Sequence, residues 1–330
     1  MPISASPGSR LRALLDSPPA PGTVMMPGAF NALCAKAIAD AGFPAAYISG
    51  AATSVAAGVP DVGLLGLEHF CRCIREAYDA SNLPIIADAD TGFGESEMVR
   101  RTVIEYARAG AAGLHIEDQV FPKRCGHLDG KKLVPLDHAV EKVRAAVEAA
   151  REVSRCQGAK VPRESEASAS APLLDTSTPR HLGTFLICAR TDARGVDGLD
   201  AAVARAKAYL EAGADMIFPE GLATEQEFAD FASKLRHCVA PSLRFYLLAN
   251  MTEFGKTPII PASRFGQMGY HCVIYPVSML RVAMGAVTRA LATLKREGTV
   301  EPLLADMQTR EQLYKTIGYT PGVEWSFPAR

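Results

Sequence analysis

Short apolar runs alternate along the chain with longer stretches in which apolar residues recur every three or four positions. Eight runs read as strands: "TVMMPG" at 23–28, "AAYISG" at 45–50, "LPIIADAD" at 83–90, "GLHIED" at 113–118, "FLICARTD" at 185–192, "MIFPE" at 216–220, "FYLLAN" at 245–250 and "HCVIYP" at 271–276. Each is too short for a helix of ordinary length. Between them lie Ala-rich helical patterns such as "LDAAVARAKAYLEAGA" at 199–214. The phrases "AGF" (41–43), "AGAAG" (109–113) and "AGA" (212–214) close such patterns. Gly there suits a left-handed helix stop before the next strand. Eight strand–helix units with right-handed crossovers predict an α/β fold, a (β/α)8 barrel of the TIM type. An open doubly wound sheet is the rival, but no GxGxxG follows the first strand.

One stretch breaks the rhythm. From 154 to 183 the text is rich in Ser, Pro and Ala and has no apolar period. It is expected to be an exposed, mobile insertion before the fifth strand, with a lid role as the less favoured reading. Positions 278–297 read as the helix after the last strand, and "EPLLADMQTREQLYKTIGY" at 301–319 reads as one extra helix. A finished barrel has no room for that helix's apolar face, so a neighbouring subunit is expected to cover it. The whole of 1–330 is expected to form one barrel domain, with a helical extension at 298–330.

Composition narrows the classes. The chain has 330 residues, 48% hydrophobic and 22% charged, with a formal net charge of −1. No basic stripe argues for nucleic acid or an anionic membrane, and no apolar run is long enough to span a bilayer. Residues 1–22 carry no apolar signal core; a weak organelle-targeting stretch there is the alternative. The 8 cysteines include no CxxC, and most read as buried free thiols in a reducing compartment. The expected location is the cytoplasm, or the mitochondrial matrix for a eukaryotic source.

Barrel enzymes carry their chemistry where strands end, and the polar residues collect there. Asp88 and Asp90 close strand three, Glu117 and Asp118 strand four, and Arg190 and Asp192 strand five. Glu220 closes strand six and Asn250 strand seven. Asp88 and Asp90, two apart, are expected to share one face. Close carboxylates repel unless a proton or cation joins them, and an oxygen ligand set favours Mg2+ or Mn2+. In "PKRCGH" at 122–127, Lys123, Arg124 and His127 flank Cys125. Cationic neighbours would lower that thiol's pKa and let it exchange a proton near neutral pH. The plain alternative is a basic surface loop with an incidental cysteine. Gly126 would let the backbone approach a substrate. Arg190 and Arg281 are candidates for substrate carboxylates, with surface ion pairs as the alternative. The small residues of "YISGAATS" at 47–54 suit either an anion-binding turn or a tight strand–helix connection.

These motifs carry a resemblance. "YISG", "VPDVG", "DADTGFG", "AGAAGLHIEDQ", "KRCGH", "ARTDA", "EAGADMIFPE", "LANMTEFGKTP", "YPVSMLR" and "MQTREQLY" are similar to the isocitrate lyase / phosphoenolpyruvate mutase superfamily. The likeness covers nearly all of the chain outside 154–183 and the last residues. "KRCGH" resembles the lyase branch, and "NMTEFG" with "MQTREQLY" resembles its methylisocitrate-cleaving members. The resemblance implies C–C cleavage of 2-methylisocitrate to pyruvate and succinate, in propionate catabolism through the methylcitrate cycle. It implies Mg2+ carboxylates at Asp88 and Asp90, and a catalytic acid at Cys125. Ser49, Gly50 and Ala51 would form an anion-binding turn. Gly126, His127, Arg190, Glu220, Asn250, Met251, Thr252, Arg281 and Arg310 would add substrate contacts. Tyr47 or a metal-linked oxygen would be the base. A homotetramer with exchanged C-terminal helices is also implied. Ala51 departs from the Gly common in the family, and "GVEWSFPAR" matches no family pattern. The alternatives are a sibling lyase for isocitrate, 2,3-dimethylmalate or oxaloacetate, a phosphonopyruvate-type P–C enzyme, and a silent carboxylate-binding barrel. Pro258 resembles the lyases rather than the oxaloacetate hydrolases.

Overall fold

The computed structural model describes residues 5–126, 128, 130–156 and 184–325. Each predicted run contains a strand: β1 Val24–Pro27, β2 Ala46–Ile48, β3 Ile85–Asp88, β4 Gly113–Glu117, β5 Leu186–Thr191, β6 Met216–Pro219, β7 Tyr246–Asn250 and β8 Cys272–Tyr275. All pair in parallel, in the order β1-β8-β7-β6-β5-β4-β3-β2. A single parallel bridge, Gly28 to Tyr47, brings β1 and β2 together, so the barrel is nearly closed. Strands β2 to β7 are buried at every position, as expected when one face meets the barrel interior and the other meets helices.

The helices are α1 Pro7–Asp16, α2 Ala32–Asp40, α3 Gly50–Ala56, α4 Leu67–Ser81, α5 Ser96–Ala109, α6 Leu136–Cys156, α7 Leu199–Glu211, α8 Glu225–Cys238, α9 Ala262–Met268, α10 Ser278–Glu297 and α11 Arg310–Thr316. In α4 the buried residues Leu67, Phe70, Cys71, Ile74 and Ala77 recur at helical spacing on one face. The predicted glycine stop after α5 is present: Gly110 has φ 99°. None of these helices is long and apolar enough to cross a membrane.

Two sequence expectations need correction, and one helix was not anticipated at all. Near the N-terminus α1 is capped by Ser6 and drives Leu11 and Leu15 into the barrel-interior cluster with Met26, Leu186, Met216 and Leu248. Arg12 pairs with Asp215 at 3.0 Å, so the helix plugs the N-terminal end of the barrel. The extra C-terminal segment is two pieces, a 3-10 turn Glu301–Asp306 and α11. The extended Met307 separates them, and Thr309 starts α11 afresh by a reciprocal capping box with Gln312. Of the predicted insertion, residues 154–156 are the last turn of α6; 157–183 lie outside the described residues.

Cys71, Cys188 and Cys272 are buried free thiols, while Cys34, Cys73 and Cys125 are half-buried and Cys238 is exposed. Beyond the barrel, α10 exposes Val282 and Leu291, and the extension exposes Leu304 and Ile317. Helix α11 lies against α2.

Candidate active site

At the C-terminal ends of the strands lies a cavity of about 210 Å³. Its lining includes Tyr47, Ser49, Ala51, Asp61, Asp88, Cys125, Gly126, Arg190, Glu220, Asn250, Thr252 and Arg281. A larger groove, about 590 Å³, opens at the opposite end beside Asp16, Arg236, Arg244 and His271. It lacks the acid cluster and the thiol, and barrel chemistry belongs to the other face.

Asp88 ends β3 and points inward, where its Oδ2 accepts the Gly50 N–H at 3.0 Å and its Oδ1 accepts the Asp90 N–H at 2.9 Å. Asp90 joins it by a different route from the strand alternation expected. It lies past the strand in a left-handed conformation, φ 47°. Gly50 makes the convergence possible: a Cβ there would stand 2.6 Å from Asp88 Oδ2 and 3.1 Å from Asp90 Oδ1. The Gly50 N–H of the "YISGA" turn therefore already serves an anion, the Asp88 carboxylate.

The acids compete for few cations. Lys123, buried, lies 2.7 Å from Asp90 Oδ1 and 2.5 Å from Asp61 Oδ1. Arg190 binds Asp192 through Nε at 3.0 Å and Nη2 at 3.2 Å, and lies 3.1 Å from Glu117 and 3.6 Å from Glu220. Burial and the Asp88 charge push Asp90 up to about 6, against Lys123. Burial alone would also raise Asp88, but His115, Lys123, Arg190 and the Asp90 N–H outweigh it and hold its carboxyl below the usual range. Because burial lowers His115 to about 4, the lysine and arginine supply that stabilisation at neutral pH. Glu117 is driven well above the usual range by burial, against the opposing Arg190 and Lys123 charges.

A divalent cation fits this set. Among the described residues, Asp90 Oδ1 and both Glu117 oxygens are buried without a hydrogen-bond partner, although ion-pair distances to Lys123 and Arg190 exist. The donors are hard oxygens, which suit magnesium or manganese. No three His, Cys, Asp or Glu side chains among the described residues form a closed ligand cage. Magnesium, which keeps several waters, needs only one or two protein carboxylates.

Cys125 borders the same cavity. Its loop is seated firmly: the Gln119 side chain clasps Arg124 through both its N–H and its carbonyl, each at 2.9 Å. Gly126 has no room for a side chain, since a Cβ would stand 2.4 Å from Glu220 Cγ and 2.7 Å from Arg190 Nη2. The expectation that Lys123 tunes the thiol needs restating, because its charge is engaged by Asp61 and Asp90. His127 lies outside the described residues.

The other nominated residues divide. Asn250 donates to Glu220 at 3.2 Å, and Arg281 reaches Thr252 at 3.3 Å and Glu253 at 3.0 Å. All five border the cavity. Met251 instead belongs to the core between sheet and helices, where its sulfur accepts the Ile260 N–H at 3.2 Å. Arg310 is exposed on α11, away from this cavity. Tyr47 donates or accepts a 2.7 Å hydrogen bond with His115 Nε2, and burial and Asp88 push its phenol well above the ordinary range. Sequence reasoning passed over His115, Asp61 and Lys131. A lone His inside the strand run "GLHIED" was the available signal for the first.

A family model described as phosphoenolpyruvate phosphomutase matches residues 11–157 and 163–295. Curated relatives between 34% and 45% identical carry the name 2-methylisocitrate lyase. Among them, probable 2-methylisocitrate lyase 1 of Corynebacterium glutamicum is 45% identical over 312 residues, 94% of this chain and 90% of that one. Crystalline 2,3-dimethylmalate lyase is similar in structure, with a TM-score of 0.79, 33% identity and coverage of 96% of this chain and 93% of that one. Phosphonopyruvate hydrolase in complex with oxalate and Mg2+ has a TM-score of 0.72 at 26% identity, covering 95% of each chain.

Proposed function

The chain belongs to the phosphoenolpyruvate phosphomutase family, and within it we propose that it is a 2-methylisocitrate lyase, splitting the C2–C3 bond to give pyruvate and succinate. The observation that carries this reading is one cavity lined by both Asp88 and Cys125, with Asp90 converging on Asp88 beside Gly50. The names of the relatives support the substrate.

Asp88 and Asp90 would hold a divalent cation, Mg2+ with Mn2+ as the alternative. Bound there, it would polarise the substrate's 2-hydroxyl and the adjacent carboxylate. Arg190, held by Asp192, and Arg281 bind substrate carboxylates, and Glu220, Asn250 and Thr252 fix their surroundings. Tyr47 would take the hydroxyl proton and hand its own to His115 Nε2, 2.7 Å away; burial, which holds that imidazole's pKa at about 4, opposes the transfer, and the Asp88 carboxylate, 3.7 Å from Nδ1, offsets part of that cost. As the C2–C3 bond breaks, its electron pair stays on C3 and is spread into the neighbouring carboxylate. The Cys125 thiol then gives C3 a proton, completing succinate. Ser49, Ala51 and Gly126 close the cavity around the carboxylates, and dry walls strengthen every one of these charge interactions.

The exposed apolar faces of α10 and the C-terminal extension support a homotetramer in which the extension packs on a neighbouring copy. In that assembly Arg310, remote from its own chain's cavity, reaches the site of a neighbour. A cytoplasmic location completes the proposal.

The test is a panel of 2-methylisocitrate, isocitrate, 2,3-dimethylmalate and oxaloacetate, each with Mg2+, assayed for the 2-oxo acid or oxalate released. The proposal expects the highest kcat/KM with 2-methylisocitrate. A sibling substrate preferred by tenfold or more, in the sense of about 1.4 kcal/mol of transition-state binding, would replace it.

A further inference from the structure

Lys131 is buried, with its side chain 3% exposed, and takes no part in the chemistry above. Its ammonium donates to the Gly126 carbonyl and, at 2.7 Å, to Asp192 Oδ1. Asp192, itself fully buried, receives the Arg190 guanidinium through two N–H groups. One ammonium thus joins the residue next to the thiol to the carboxylate that orients the guanidinium.

The surroundings are built around this contact. A Cβ on Gly195 would stand 3.3 Å from Lys131 Nζ, so a larger residue there would crowd the ammonium. The loop that Lys131 closes is also tied at its base, where Val120 N–H bonds to Lys132 O at 2.8 Å and Val134 N–H to Asp118 O at 2.9 Å. Asp118 continues the frame: it accepts the Asp192 N–H at 2.9 Å and the Tyr209 hydroxyl at 2.8 Å. A buried carbonyl and a buried carboxylate that share one donor lose a partner each when the donor is removed, and an unpaired buried polar group is costly.

We infer that Lys131 is a positioning residue that fixes the Cys125 thiol relative to the Arg190 guanidinium. This rests on the proposed reaction, in which Cys125 is the acid and Arg190 binds a substrate carboxylate. Lys131 touches neither the substrate nor the reacting atoms. It acts by holding Gly126 and Asp192 at one separation, so that the proton donor and the carboxylate clamp are set together.

The test uses the full chain carrying Lys131→Met or Lys131→Gln. Hydrogen exchange without substrate is followed in the segment around Cys125 and, as a folding reference, in α5. In Lys131→Met the Cys125 segment is expected to exchange about fivefold or more faster while α5 is unchanged. With 2-methylisocitrate and Mg2+, kcat is expected to fall about tenfold or more and KM to rise, since both thiol and guanidinium lose their setting. Lys131→Gln, which keeps one donor, is expected to recover part of each effect. Wild-type exchange around Cys125 in Lys131→Met, with kcat/KM within about twofold, overturns the inference. Faster exchange spread evenly over α5 and the loop in both variants overturns it too, because Lys131 would then support only the fold. If the wild-type chain does not cleave 2-methylisocitrate, the functional reading fails, and the exchange comparison still decides whether Lys131 sets the loop.

Discussion

The Lys123 ammonium and the Asp90 carboxylate are buried 2.7 Å apart, so the acid proposed as a cation ligand already shares a positive charge. Even so, burial and the neighbouring Asp88 outweigh that lysine and raise Asp90 to about 6. Between the ordinary carboxylate range and about pH 6, folded Asp90 keeps a proton that the unfolded chain has lost, so this group's contribution to stability falls as pH rises through that window. A cation must displace the same proton. Cation affinity is therefore expected to weaken below about pH 6, approaching tenfold per pH unit, with proton release on binding near pH 5.5. Calorimetric titration of Mg2+ across roughly pH 5 to 7.5 measures it. Affinity independent of pH over that range would show that Asp90 is not a ligand that titrates.

The plug at the N-terminal end of the barrel makes a stability prediction. Leu11 is fully buried among barrel-interior side chains. Leu11→Ala is expected to lower unfolding free energy by about 2–5 kcal/mol. Denaturant unfolding measures the loss. Activity per folded molecule should stay near wild type, since the plug and the cavity lie at opposite ends of the strands.

The C-terminal apolar faces make another. Val282 and Leu291 on α10 are 69% and 61% exposed in the single chain, too much apolar surface to leave wet without purpose. The wild-type chain is expected to sediment as a tetramer. A Val282→Glu, Leu291→Glu double variant is expected to sediment as a smaller species and, with Arg310 no longer supplied by a neighbour, to show a raised KM. A wild-type monomer with full activity would contradict this arrangement.

Much of the fold was legible because the eight strands are short, most are buried on both faces, as in β5 with "LICART", and they are separated by longer helical stretches. The plug was not. Its Leu11 and Leu15 lie at helical spacing, but Pro and Ser around them resemble a linker. The single extra helix expected at 301–319 is broken because Thr309 and Gln312 form a stronger local start than the running pattern suggests. In the site, the acids at strand ends were readable from position alone. The convergence of Asp90 was readable in outcome only, since it depends on a left-handed turn and on the missing side chain of Gly50. Lys131 and Asp61 were invisible as site residues because their roles come from long-range contacts, to Asp192 and Lys123, that no spacing encodes.

The most direct measurement compares wild type with Cys125→Ser, assaying pyruvate and succinate from 2-methylisocitrate with Mg2+. A serine hydroxyl is a far weaker acid than a thiol, so kcat is expected to fall by about two orders of magnitude or more, within the span attributed to general acid–base groups, with KM changed only a few-fold. Turnover by the serine variant within about tenfold of wild type would contradict proton delivery from the thiol.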